Sequence, residues 1–357
     1  MRINMAKNRD ALNLSMSTFE EASNASSDTY VNFRLPTDSL ILSIDKHSMK
    51  QLALEIGPDL VYYMAETGIG TNECIEKGCL PVLSHFYQSI PNLMDLERRN
   101  VWSKMSELRG LDWDKTRFIK TLQGLSAYMA ECDWQLNEPD NTIEYFRNNQ
   151  AYGFCEAVVL YCMIRKNRPT KIIEVGSGMS SRVIATAIRA NAKEDKSYIP
   201  EYIIVDPYSN IDISLYPYRT TLIKKKVELI DISFFQSLAE NDILFIDSSH
   251  VCKIGSDVNY EILDVLPALC SGVLIHFHDI CIPYEYPKVY ATNPSFRMFW
   301  TEGYLLQAFL AYNKDFLTIL PMSYMLNKFA SEVRPLFPEM EDSHYGGCSI
   351  WIKRVKS

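Results

Sequence analysis

The chain has 357 residues, 47% of them hydrophobic and 12% aromatic, which is ample for a buried core and excludes a wholly disordered chain. Lys and Arg number 36 against 44 Asp and Glu, a formal charge of −8; an acidic chain is a poor candidate for binding a phosphate backbone, which takes clustered cations, and no nucleic-acid partner is expected. No stretch approaches about 18 uninterrupted apolar residues, so no membrane span is expected; nine cysteines without tight CxxC spacing speak against a disulfide framework or structural zinc and for a reducing cytoplasm.

The segment from Met1 to about Tyr30 is polar, rich in Ser and Asn, and lacks the apolar run of a secretory signal; residues 1–30 read as a flexible tail. Residues 31–145 read as a mainly helical N-terminal region. Gln51–Glu66 and Arg117–Cys132 place apolar residues at helical spacing, and Phe118, Ile119, Leu122, Leu125, Tyr128 and Met129 form one buried face. A lid, a substrate-selecting part and a purely structural role are equally open for this region. From residue 146 to 357 the pattern becomes that of a second domain. Ala157–Ile164 is an apolar helix face, Lys171–Val175 a short β-branched run, and Ser180–Asn191 a helix. Tyr202–Asp206, Leu222–Leu229, Ile243–Asp247 and Val273–His278 read as further strands, with a helix near Tyr260–Leu269. Lys224-Lys225-Lys226 reads as a solvated strand end, and Phe316–Leu320 and Cys348–Ile352 could close the sheet. Short apolar runs alternating with helices predict an α/β domain, a Rossmann-like parallel sheet buried on both faces.

Glu174-Val175-Gly176-Ser177-Gly178 lies at a strand-to-helix junction. Glycines let the backbone turn tightly and approach a ligand, and the helix start presents free N–H groups. The spacing also suits a dinucleotide loop, but Ser181 stands where the third glycine of G-x-G-x-x-G belongs. Asp206, ending the next strand, can accept hydrogen bonds from both hydroxyls of an adenosine ribose. Asp231 either approaches the adenine edge or caps a helix ahead of Phe234 and Phe235. Glu174 is expected to face a cationic part of the cofactor.

Two neighbouring strand tips carry most of the remaining chemistry, Asp247-Ser248-Ser249-His250 and His276-Phe277-His278-Asp279. Asp247, His278 and Asp279 could converge on a divalent cation; the mixed N/O donors permit Mg²⁺, Mn²⁺, Fe²⁺ or Zn²⁺. Without a metal, His250 or His278 could act as general base, since imidazole titrates near neutral pH. The catalytic candidates are therefore His250, His278 and Asp247, and the cofactor candidates Glu174, Gly176, Ser177, Gly178, Asp206, Asp231 and Asp247. Pro283–Pro287, with Tyr304 and Gln307, could line an acceptor pocket.

Ile172–Gly178, Val205-Asp206-Pro207, Phe245–His250 and His276–Ile280, followed by Gly255–Tyr260 and Gly346–Ile352, resemble bacterial class I methyltransferases of the methyltransferase domain 24 type, over about residues 100–353. The resemblance implies a seven-stranded sheet with the last strand antiparallel and S-adenosyl-L-methionine as methyl donor. It places Glu174, Gly176 and Gly178 at the methionine part of the donor and Asp206 at the ribose. Related macrolide sugar O-methyltransferases hold Mg²⁺ with acids that map onto Asp247 and Asp279; here His278 replaces a neighbouring acid, which leaves the metal's identity open. The expected reaction is O-methylation of a sugar or secondary-metabolite hydroxyl, with N-methylation or an NAD-dependent oxidoreductase or epimerase as alternatives. The expected partner is a small-molecule acceptor, and a homo-oligomer is left open.

Overall fold

The computed structural model describes residues 30–34, 41–140, 143–295, 297–337 and 347–355. The expected tail, Tyr30 apart, and Gly346 lie outside the described residues. The chain divides into two units, Met1–Asn92 and Leu93–Ser357.

In the first unit, β1 (Tyr30–Arg34) pairs antiparallel with β2 (Ile41–Asp45). Asp45 then caps helix α1 (Lys46–Glu55) by accepting from the Ser48 N–H at 2.9 Å. Helix α2 (Gly57–Thr67) follows at once, with Pro58 in its first turn and Gly68 in the left-handed conformation (φ 74°) at its end. The helical spacing of 51–66 thus serves two helices, because Pro58 cannot sit inside a continuing one.

The second unit begins well before the expected boundary at 145/146. Helix α3 (Lys115–Gln123) starts on an Asp114 cap. Its Phe118 and Leu122, with Leu125 and Met129, are buried in the same core as α4 (Phe154–Asn167). Residues 93–145 therefore belong with the sheet domain: the apolar face legible in the sequence is buried in that domain's own core. Strands β3 (Lys171–Val175), β4 (Glu201–Val205), β5 (Thr220–Ile223), β6 (Ile243–Ile246), β7 (Leu274–Phe277), β8 (Phe316–Pro321) and β9 (Ile350–Arg354) form one seven-stranded sheet in the order β5-β4-β3-β6-β7-β9-β8. The strands β3 to β7 pair in parallel, and β9 runs antiparallel to both neighbours, as the resemblance implies. Helix α5 (Met179–Glu194) carries the chain from β3 to β4.

Alternate residues of the strands enter opposite cores. Ile172, Ile204 and Phe245 lie on the face covered by α4 and α5, and Ile173, Leu244 and Ile275 on the other. The strand expected at 222–229 ends at Ile223; it is a sheet edge, and three exposed lysines there leave nothing to bury, so the chain turns at Val227–Leu229 instead. The chain leaves β3 for β4 on one side and returns at β6 on the other. The carboxyl ends of β3, β4 and β6 consequently flank the crevice where open α/β sheets bind ligands.

Candidate active site

The turn after β3 fits between the neighbouring strand tips. The Gly176 N–H donates to the Val205 carbonyl (3.0 Å), and the Asp247 N–H to the Val175 carbonyl (2.9 Å). Gly176 has φ 83°, and a Cβ on it would stand 2.1 Å from the Asp247 carbonyl oxygen. Only glycine fits there. Gly178 is different: its φ of 169° is ordinary extended backbone, and a Cβ would meet nothing within 4 Å. Its Cα borders open space at the head of α5. The Ser177 hydroxyl donates to the Asp206 carboxylate and lies 2.9 Å from the Ser209 hydroxyl, while the other Asp206 oxygen accepts from the Tyr208 N–H at 2.8 Å. The structure thus brings Gly176, Ser177, Gly178, Asp206 and Asp247 to one place.

Glu174 sits differently from the expectation, and Asp231 takes up one of its two expected positions. Glu174 is fully buried, and its carboxylate accepts from the hydroxyls of Ser180 (2.7 Å), Ser181 (2.9 Å) and Tyr202. It props the turn from beneath, because the alternation of β3 turns it toward α5 rather than toward the crevice. Burial pushes its carboxyl up to about 7 against the pull of the three hydroxyls. The folded protein therefore holds a proton that the unfolded chain loses near 4.5. This contribution to stability is fully present below about pH 4.5 and is lost as pH rises through 7, by up to about 3 kcal/mol. Denaturant midpoints of Glu174→Gln should accordingly change less between about pH 5 and pH 8 than those of the parent; an identical change would contradict this reading. Asp231 is exposed and caps the turn Ile232–Phe235, accepting from the Ser233 N–H at 2.8 Å and from the Ser233 hydroxyl. It is the helix cap of its two expected roles.

The tips of β6 and β7 bring Asp247, His250, His278 and Asp279 together. His250 Nε2 lies 3.2 Å from Asp247 and 3.7 Å from Asp279, and His278 Nδ1 lies 3.2 and 3.4 Å from the same two carboxylates. The ligand atoms of Asp247, His250 and Asp279 all fall within 4.8 Å of one another. His250 thus takes the place expected of His278 in the cation set, and His278 braces the acids from behind, with its Nε2 3.5 Å from the buried Glu156. His276, on the same strand face but deeper, is no site residue: its ring stacks on Phe245 in the core, centroids 4.4 Å apart, and burial keeps it neutral.

His250 and Asp279 both have positive φ, 60° and 54°, a conformation that non-glycine residues adopt rarely and that collects at functional sites. The charges reinforce one another. Burial favours the neutral imidazole of His250, but its bonds to Asp247 and Glu302 overcome this and push it up to about 10. Burial opposes charge on His278 as well, and Asp247, Glu156 and Asp279 drive its proton affinity well above the usual range. Burial likewise opposes ionisation of Asp247, yet the two imidazoles hold its carboxyl far below the ordinary value. Burial raises the Asp279 carboxyl to about 6 against the pull of both imidazoles.

Glu156, Glu302 and Tyr152 were not singled out from the sequence. Tyr152 packs its ring 4.9 Å from that of His278. Glu156 had a signal: a carboxylate inside an otherwise apolar helix needs a partner. The stretch after β7 borders a cavity of about 310 Å³ lined by Tyr284, Glu285, Tyr286, Tyr304 and Gln307, the group expected from the sequence to line a pocket.

Residues 173–280 match the model of a family described as a methyltransferase domain. An uncharacterized protein of Archaeoglobus fulgidus is 30% identical over 170 residues, which cover 44% of this chain and 74% of that protein. Among solved structures, the chain is similar to CmcI-N160 in its apo form (16% identity, 71% of this chain and 89% of that one, TM-score 0.33). It is also similar to MycE methyltransferase from the mycinamycin biosynthetic pathway in complex with Mg, SAH and mycinamycin VI (11% identity, 90% and 66%, TM-score 0.29). Both TM-scores are low, and neither superposition assigns a residue here.

Proposed function

This chain belongs to the class I S-adenosylmethionine-dependent methyltransferase family, and we propose that it moves the methyl group to a hydroxyl oxygen of a small-molecule acceptor, a sugar or secondary metabolite. The observation that carries this reading is the meeting of the Gly176–Gly178 turn and Asp206 with the Asp/His cluster at adjacent strand tips. S-adenosylmethionine supplies a methyl group already activated on a sulfonium, so the protein's tasks are alignment and removal of the acceptor's proton. Alignment accounts for about 7–11 kcal/mol of barrier in favourable cases and a general base for roughly 10²–10⁴-fold in rate.

The residues divide these tasks. Gly176 and Gly178 leave room for close approach at the head of α5, and Asp206 offers carboxylate oxygens to a ribose. Asp247, His250 and Asp279 form a donor set of two carboxylates and an imidazole that fits a divalent cation. Such a cation would orient the acceptor hydroxyl and lower its pKa. The Asp279 carboxylate is placed to take the hydroxyl proton, with Asp247 held ionised between the two imidazoles, and His250 Nε2 faces both acids as the donor atom that a cation would hold in place of a proton. The family assignment sets aside the NAD-dependent alternative.

The test is product analysis. Purified protein with isotopically labelled S-adenosylmethionine should label a hydroxyl-bearing compound in a small-molecule extract, and mass spectrometry should place the methyl group on oxygen. Asp206→Ala should lower that labelling about tenfold or more. Labelled nitrogen would replace the O-methyl reading, and no labelled small molecule would sink it.

A further inference from the structure

Helix α6 (Glu302–Leu310) opens on a carboxylate that is fully buried. One Glu302 oxygen lies 2.8 Å from His250 Nδ1, and the other has no hydrogen-bond partner among the described residues. A buried polar group with so few bonds is costly unless its one partner matters. The backbone is tied to the same point. The N–H groups of Thr301 and Glu302 both donate to the His250 carbonyl (2.9 and 3.1 Å), and the Cys252 N–H donates to the Thr301 hydroxyl at 2.7 Å. Trp300 packs against the imidazole, ring centroids 4.4 Å apart. Residues 300–302 thus hold His250 in its left-handed conformation from three sides.

We propose that Glu302 is a positioning residue: it fixes His250 with a proton on Nδ1 and directs Nε2 into the gap between Asp247 and Asp279. With His250 as the donor of this bond, Nδ1 carries its hydrogen and the chemistry of His250 is left to Nε2. An imidazole held in this way is pre-set as a ligand for a cation that displaces the Nε2 proton, and outer carboxylates of this kind are worth about 10–100-fold in metal affinity. The role rests on the function proposed above, but the contact itself can be read without it.

The experiment uses the full chain labelled with ¹⁵N-histidine. A slowly exchanging, downfield Nδ1–H that disappears in His250→Gln is expected for the parent, and in Glu302→Gln it should move strongly upfield or vanish. In parallel, Mn²⁺ alone is titrated by electron paramagnetic resonance. Glu302→Gln should bind it about 10–100-fold more weakly than the parent while binding S-adenosylhomocysteine with unchanged affinity. An absent or unaltered Nδ1–H overturns the proposal. So does Mn²⁺ affinity equal to the parent's in Glu302→Gln when His250→Gln has lost it. A parent that shows the Nδ1–H but binds no Mn²⁺ removes the cation from the proposed function and leaves the positioning of His250 supported.

Discussion

Gly176→Ala is expected to destabilise the protein by about 2–4 kcal/mol and to abolish cofactor binding, whereas Gly178→Ala should leave the fold intact and weaken the cofactor alone. The two glycines are two residues apart but meet opposite surroundings. At Gly176 the left-handed backbone, φ 83°, strains any L side chain, and the new Cβ would stand 2.1 Å from the Asp247 carbonyl oxygen. That atom is backbone between β6 and the reaction cluster and cannot swing aside. Relief has to come from parting the β3 and β6 tips, which breaks the Asp247 N–H bond to Val175 and moves the Asp247 carboxylate with it. At Gly178 a Cβ meets no atom within 4 Å, so melting should change little. If that space is filled by the cofactor, the methyl group occupies it and binding should fall by about tenfold or more. Equal melting temperatures for both variants would contradict the geometry of the turn. Unchanged cofactor affinity in Gly178→Ala would show that the ligand lies elsewhere.

The second large effect is expected of Asp247→Asn. Its carboxylate is shared by two imidazoles, each at 3.2 Å. Burial opposes charge on both rings, and Asp247 leads the hydrogen bonds and charges that outweigh it. Without that charge burial gains ground, and both rings should titrate nearer neutrality. Methyl transfer should fall by about 10³-fold, within the range set by loss of a proton acceptor or a cation site. The stability consequence has a defined sign. His250 is raised from 6.5 to about 10 in the folded protein, so its contribution is fully present below about pH 6.5 and is lost as pH rises through 10. Asp247→Asn should reduce that loss, and histidine ring-proton titrations followed by NMR should show the imidazole signals moving at lower pH. Titrations identical to the parent's would mean that the carboxylate does not hold the imidazolium charge.

Much of this site was legible before any coordinates. The β-branched runs at 172–175, 202–205 and 243–246 are strands because each is too short and too apolar for anything but a sheet covered on both faces, and each ends on a turn residue or carboxylate at the ligand edge. The turn glycines followed from the same junction. What failed to show has physical reasons. Strand alternation puts His276 and His278 on one side but does not say how deep each lies, so the sequence groups His276 with the tip residues although it is in the core. Glu174 ends a strand near the crevice, yet alternation turns it to the α5 face, and the hydroxyls that hold it there come from α5 and from a neighbouring strand, which the sequence around Glu174 does not reveal. Glu302 looks in the sequence like any acid in the first turn of a helix, where it favours the dipole; only the return of α6 to the β6 tip gives it His250 as a neighbour. Phe118 and Leu122 announce a buried face but not what covers it; α3 packs against β8 of the sheet domain, which is why the boundary lies earlier than the sequence suggests.

The most direct test of the cofactor site is calorimetric titration with S-adenosylmethionine of the parent and of Asp206→Ala. One equivalent should bind to the parent with saturating heat at micromolar ligand, and the variant should bind about 10–100-fold more weakly, as expected for loss of charge-assisted hydrogen bonds to a ribose. No heat from the parent at millimolar ligand, or an Asp206→Ala variant that binds as tightly as the parent, would contradict a cofactor lying across the β3 and β4 tips.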